Sequence, residues 1–136
     1  MDLLFILESK ANREKHKFKY KNFKVGNEAN NFEMTFDFYP EYLDDDFKDH
    51  LPYKQLCNED ETFCHNNTNF STYNKDHTGN KCPQIYGGGW WYNKCHHVSL
   101  TGDRDLYLGY RWKYLNGSVK DEGLLKNSVM MIRPTE

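Results

Sequence analysis

Gly87-Gly88-Gly89-Trp90-Trp91-Tyr92-Asn93-Lys94-Cys95-His96 is the stretch that decides how this chain is read. Three consecutive glycines remove Cβ atoms where the backbone must approach another part of the chain closely. Two tryptophans and a tyrosine follow at once, which is too much apolar area for a loop left in water. Trp90 and Trp91 therefore read as core rings seated by the glycines. Cys95 and His96 close the stretch. The imidazole of His96 serves equally well as a pocket group or as a satisfied structural side chain, and His97 reads as solvated.

Working outward, Cys95 is one of four cysteines, with Cys57, Cys64 and Cys82. An even count in a small, loop-rich chain fits two disulfides. The natural pairing is Cys57–Cys64 and Cys82–Cys95, each closing a short loop. Zinc is the alternative, since His65, His96 and His97 sit beside cysteines. The Cys spacings of x6 and x12 are longer than those of common structural zinc sites. Oxidised cysteines imply an extracellular protein. Three glycosylation sequons, at Asn66, Asn69 and Asn116, point the same way.

The 136 residues suit one domain with one core. Aromatic residues make up 16%, with 10 Tyr and 9 Phe, while mean hydropathy is −0.96. Such a core is built on rings, is thin in aliphatics and calls for staples. A net charge of −2 argues against nucleic acid as a partner. No apolar run reaches the ~18 residues needed to span a bilayer. Charge is uneven: seven Lys or Arg and one Glu lie between Lys10 and Lys24, and acids dominate from Glu41 to Glu61. These runs read as solvated faces, with an anionic-surface or heparin-like contact as the minority reading of the basic one.

The segment Met1–Glu8 has a carboxylate where a secretory signal needs positive charge, and it reads instead as a buried strand. Lys17, Lys19 and Lys21 alternate with Phe18 and Tyr20, the period-2 pattern of a half-buried strand. Phe23 and Val25 shift that phase by one, which predicts a bulge. A turn follows at 26–30. Phe32, Met34, Phe36 and Phe38 alternate again and predict a third strand. From about Asp44 to Gly89 loop chemistry dominates, which disulfides or an ion would have to hold. Two strands are predicted near the end, over Val119–Lys126 and Val129–Arg133, with Met130 and Met131 as strand packing. No helix longer than a turn or two is expected. No Gly-x-Ser-x-Gly, phosphate loop or His-Glu-x-x-His is found, so a non-enzymatic role is expected.

The central stretch, preceded by Phe70-Ser71-Thr72-Tyr73-Asn74-Lys75-Asp76 and Cys82, is followed by Leu100-Thr101-Gly102 and a C-terminal Met130-Met131-Ile132-Arg133-Pro134. In this order the motifs resemble those of the fibrinogen C-terminal domain family. Tyr20–Glu28 and Asn31-Phe32 resemble the family's strand and turn before the central sheet. The resemblance implies an α+β fold: a twisted antiparallel sheet (residues 1–40) and a loop-rich binding region with closing strands (41–136). Nothing corresponds to the family's first, disulfide-bearing subdomain, so an N-terminally incomplete domain is implied, with the strand at Leu3–Leu7 left as an exposed edge.

The resemblance also implies a site. Asn74 and Asp76, with backbone carbonyls near Thr78 and Asn80, match the family's calcium loop, Asn74 standing where the family has Asp. Cys82–Cys95 matches the disulfide framing the binding loop. Lys94–Cys95 matches a cis peptide bond that aims the N–H groups of Cys95 and His96 into the pocket. Tyr86, Cys95 and His96 match the pocket that takes an acetyl group in lectin-like members. Two further aromatic positions of that pocket fall near Lys113 and Gly123, with Tyr110, Trp112 or Tyr114 as substitutes. The function implied is extracellular recognition of acetylated glycans, in innate defence. The alternative is a protein-ligand or assembly module of fibrinogen or angiopoietin type, oligomerising through regions outside this chain.

Overall fold

The computed structural model describes residues 1–37, 64–96, 98–106, 108–113, 115 and 122–134, with the backbone of 41 and 42. In chain order the strands are β1 (Asp2–Ser9), β2 (Lys15–Tyr20), β3 (Lys24–Val25), β4 (Met34–Thr35), β5 (Glu41–Tyr42), β6 (Val98–Ser99), β7 (Arg111–Trp112) and β8 (Leu125–Arg133). A 3-10 turn covers Glu28–Asn30, and a short helix, α1, covers Cys82–Tyr86.

The main sheet has the order β5-β2-β1-β8, with every pair antiparallel. The period-2 reading of β2 holds, and β1, expected as a buried strand, alternates as well. Leu3, Phe5 and Leu7 of β1 and Phe18 and Tyr20 of β2 are fully buried, and Leu3 faces Tyr20 while Phe5 faces Phe18. A one-residue slip would put all five into water. The opposite face sets Lys19 against Leu4 and Lys17 against Ile6.

The expected edge at Leu3–Leu7 is wrong. β1 lies between β2 and β8, which pairs with it from Asp2–Arg133 to Ser9–Leu125. One chain terminus thus closes the sheet on the other, and β8 is the last strand of the sheet among the described residues. Met130 and Met131 do lie in a strand, but they are exposed, as are Val129 and Ile132.

The predicted bulge at Phe23 is instead a change of sheet. Asn22 turns the chain at φ 56°, and Lys24–Val25 pairs with Met34–Thr35 in a separate two-stranded sheet. The third strand is correspondingly short. Met34 and Phe36 are buried, but Phe32 sits at φ 53° and is exposed. A positive φ in so bulky a residue ends an extended run. Of the two C-terminal strands predicted, one continuous strand, Leu125–Arg133, is observed. Residues 119–121 and Phe38 lie outside the described residues.

The core runs from the sheet into the loop region through rings. Trp112 stacks on Phe18 (5.0 Å, 16°) and meets Phe5 edge-on (5.0 Å). Phe5 meets Tyr20 (5.9 Å), which meets Phe36 (5.0 Å). Two-residue strands gain little from ladder bonds alone, so this ring packing is what holds β6–β7 against the main sheet. Asn66 adds a clamp on Phe36: its Oδ1 accepts from the Phe36 N–H (3.0 Å) and its Nδ2 donates to the Phe36 carbonyl (3.1 Å).

Candidate ligand site around Cys82–Cys95

The glycines do what the sequence asked of them. At Gly88, φ is 78°, and a Cβ there would run into the carbonyl oxygen of Thr101. The chain then pairs through Trp90 with Ser71 and buries the Trp90 ring almost completely. Trp91 is half-buried. Its indole N–H donates to the Phe32 carbonyl (2.8 Å). The Tyr92 hydroxyl donates back to the carbonyls of Gly87 and Gly88 (2.9 and 3.0 Å), and burial raises its pKa to about 12.

Cys82, the first residue of α1, is joined to Cys95, with a Cα–Cα distance of 5.3 Å. The Lys94–Cys95 peptide bond is cis. Cys64 is also disulfide-bonded. Cys57, its expected partner, lies outside the described residues, as do His97, Tyr114 and Asn116.

Of the implied pocket residues, Tyr86 and His96 are in ring contact at 4.5 Å, and the Tyr92 ring lies 5.8 Å from His96. His96 is 3% exposed. Its carbonyl accepts from Arg111 Nη2 (2.8 Å) and its Nδ1 from Arg111 Nε (3.5 Å). Arg111 is buried and is neutralised by Glu122, as a buried guanidinium requires. The two aromatic positions expected downstream are not supplied by Tyr110 or Trp112. Trp112 belongs to the core, and Tyr110 carries the Arg104 guanidinium at 4.6 Å while its hydroxyl donates to Ser128 (2.6 Å). Lys113 and Gly123 stand where those rings were sought.

A polar opening of about 250 Å³ lies next to this group, bounded by Tyr92, Asn93 and Lys94 on one side and by His77, Thr78 and Asn80 on the other. It thus joins the disulfide-framed turn to the implied calcium loop, although Tyr86, Cys95 and His96 do not line it. In that loop Asp76 Oδ1 accepts from the Thr78 N–H (2.8 Å) and hydroxyl (2.6 Å), and Oδ2 accepts from the Lys81 N–H (3.0 Å). The Thr78 hydroxyl is the largest cause of a lowered Asp76 pKa. Asn74 Oδ1 accepts from the Thr72 hydroxyl (3.0 Å). Calcium takes six to eight oxygens, and the two side chains meant to hold it are engaged by the loop's own donors. As arranged, the loop's own donors compete with an ion for those oxygens. Millimolar calcium is therefore expected to move the thermal midpoint by less than about 2 °C relative to chelator, and a rise of about 5 °C or more would show the loop opening for the ion.

Two residues that sequence reading did not place in the site hold it from beneath. One is Arg111. The other is His65, fully buried, whose Nδ1–H donates to the Trp91 carbonyl (2.7 Å) while its Nε2 accepts from the Val98 N–H (3.3 Å). Both ring nitrogens serve the backbone, so His65 is a structural imidazole and not the zinc ligand the zinc alternative would make it. Among the described residues no three His, Cys, Asp or Glu groups converge as a metal site.

Residues 2–135 match the model of the fibrinogen beta and gamma chains, C-terminal globular domain. The chain belongs to the fibrinogen C-terminal domain family. This fibrinogen-related domain is 40% identical over 83 residues to Techylectin-5A of Tachypleus tridentatus, covering 53% of this chain and 26% of that protein. It is 34% identical over 127 residues to human Fibrinogen-like protein 1, covering 87% of this chain and 38% of the relative. The fibrinogen-like globe domain of human ANGPTL2 superposes with a TM-score of 0.67 at 25% identity, over 98% of this chain and 57% of that one. The fibrinogen-related domain thus spans about a quarter to two-fifths of these two curated relatives. A lamprey fibrin D-dimer, solved with the peptide Gly-His-Arg-Pro-amide, shares the fold (TM-score 0.63, 21% identity, 95% of this chain and 44% of that one).

Proposed function

We propose that this domain is an extracellular recognition module that binds acetylated glycans through the group built on Tyr86, Cys95 and His96. The observation that carries the proposal is the His96 ring in contact with the rings of Tyr86 and Tyr92 beside a disulfide. A polar group fixed among aromatic faces suits a ligand with a carbonyl and a methyl on one small unit. Likeness to a techylectin supports the glycan reading, and the oxidised cysteines support an extracellular setting. Binding, rather than catalysis, is the role of the site: the cysteine beside His96 is in a disulfide and offers no thiolate.

The test is calorimetric titration with N-acetylglucosamine and with glucose. Binding of the acetylated sugar alone is expected, and His96→Ala should weaken it about tenfold or more. His96 is buried, so urea unfolding of the variant must show a cooperative transition before its binding is read, and Tyr86→Phe provides a milder second substitution. Binding to neither sugar, with binding to a short peptide bearing a free N-terminus, would favour the alternative. In that reading the domain is a protein-ligand module, for which the peptide complex of the lamprey neighbour is the precedent.

A further inference from the structure

A second concave surface lies away from Tyr86 and His96, and it is built from three separated segments. Lys10 and Arg13 come from the turn after β1, where the Arg13 N–H donates to Ser9 (3.0 Å). Arg104 comes from the loop after Gly102, and Lys126 from the start of β8. Backbone bonds tie the three together: the Lys10 N–H donates to the Leu124 carbonyl (2.9 Å), and the Leu125 N–H to that of Tyr110 (3.4 Å). The cleft they enclose is about 540 Å³, within the range of ligand sites.

Its chemistry is one-sided. Four cations line the cleft against one carboxylate, Asp105, in a chain whose net charge is −2. No ion pair to any of the four is found among the described residues. Arg104 is set by its stack on Tyr110, which occupies a face of the guanidinium and leaves edge N–H groups for a carboxylate. The floor is apolar. Leu106 and Leu124 are 40% and 37% exposed, and Leu108 joins them from a backbone at φ 64°. So bulky a residue rarely adopts that conformation, and such outliers gather at functional sites. A sulfated saccharide would answer the cations but leave the leucines against hydrated faces. Acidic residues interleaved with apolar side chains answer both.

We propose that this cleft binds an acidic peptide segment carrying apolar side chains. The site is independent of the acetyl-binding reading, and its failure would leave that reading untouched. The chain itself supplies a suitable probe sequence at 41–47, Glu-Tyr-Leu-Asp-Asp-Asp-Phe. A fluorescently labelled synthetic peptide of that sequence, titrated with the whole chain at low salt, should bind. Arg104→Ala with Lys126→Ala should weaken it about tenfold or more, while Lys15→Ala with Lys17→Ala, an equal loss of charge on the sheet face, should leave it within about twofold. A version with Asn for each Asp, or with Ser for Leu and Phe, should also bind about tenfold more weakly. No binding of the parent peptide, equal losses in the two double variants, or tighter binding of a heparin-type oligosaccharide each overturns the proposal.

Discussion

Replacing Trp112 by alanine is expected to destabilise the domain by about 3–5 kcal/mol, the range for deleting a buried large aromatic. Its ring is fully buried, stacks on Phe18 of β2 and meets Phe5 of β1 edge-on. Its backbone belongs to β7, which pairs with β6 two residues beyond His96. One side chain therefore couples the sheet to the segment that carries the site. Small domains have about 5–15 kcal/mol of stability in total, so the variant should lie near the edge of folding. Urea unfolding at neutral pH measures the loss. A cost below about 1 kcal/mol would mean that the rings close over the gap, and that the site does not depend on the sheet for its position.

The second large effect comes from acid. Burial lowers the pKa of His65 from 6.5 to about 4; the bond to the Trp91 carbonyl opposes this in part, and the charge of Arg111 adds to it. The unfolded chain therefore binds a proton between those two values and the folded chain does not. Stability rises with pH wherever the unfolded state holds more protons. His65 should thus contribute its full share above about pH 6.5 and lose it progressively down to about pH 4, a span of about 3 kcal/mol. Urea midpoints at pH 4.5 and 7.5 measure the slope. In His65→Gln, which keeps an amide donor and acceptor but does not titrate, the slope should shrink while the neutral-pH midpoint falls. An unchanged slope would assign the acid sensitivity to other groups.

Such residues mark where sequence reading stops. β2 was legible because its lysines and rings alternate with a period of two, β1 because its run is apolar, and Trp90 because glycines and rings adjoin in the chain. The disulfide and the family followed from motif order. His65 and Arg111 carried no local signal, because their partners are 26 residues away at Trp91 and 11 and 15 residues away at Glu122 and His96. The pairing of β1 with β8 is hidden from the local sequence for the same reason. Nothing in Leu3–Leu7 reveals that a strand more than a hundred residues later lies alongside it. The calcium loop was legible as oxygen-rich, but not as a set of turns in which Asp76 accepts from Thr78 and Lys81.

The Asn66 clamp on Phe36 has a consequence for biosynthesis. An amide that accepts at its oxygen and donates to the carbonyl of the same residue uses the hydrogen on the oxygen's own side. A sugar joined at that nitrogen as an ordinary trans amide takes the place of this hydrogen. The folded clamp and a sugar at Asn66 therefore exclude each other, whatever the sequon allows. A transferase meeting the extended chain acts before the clamp closes. A molecule modified there cannot close the Asn66 clamp on Phe36, so the order of the two events decides whether that contact forms.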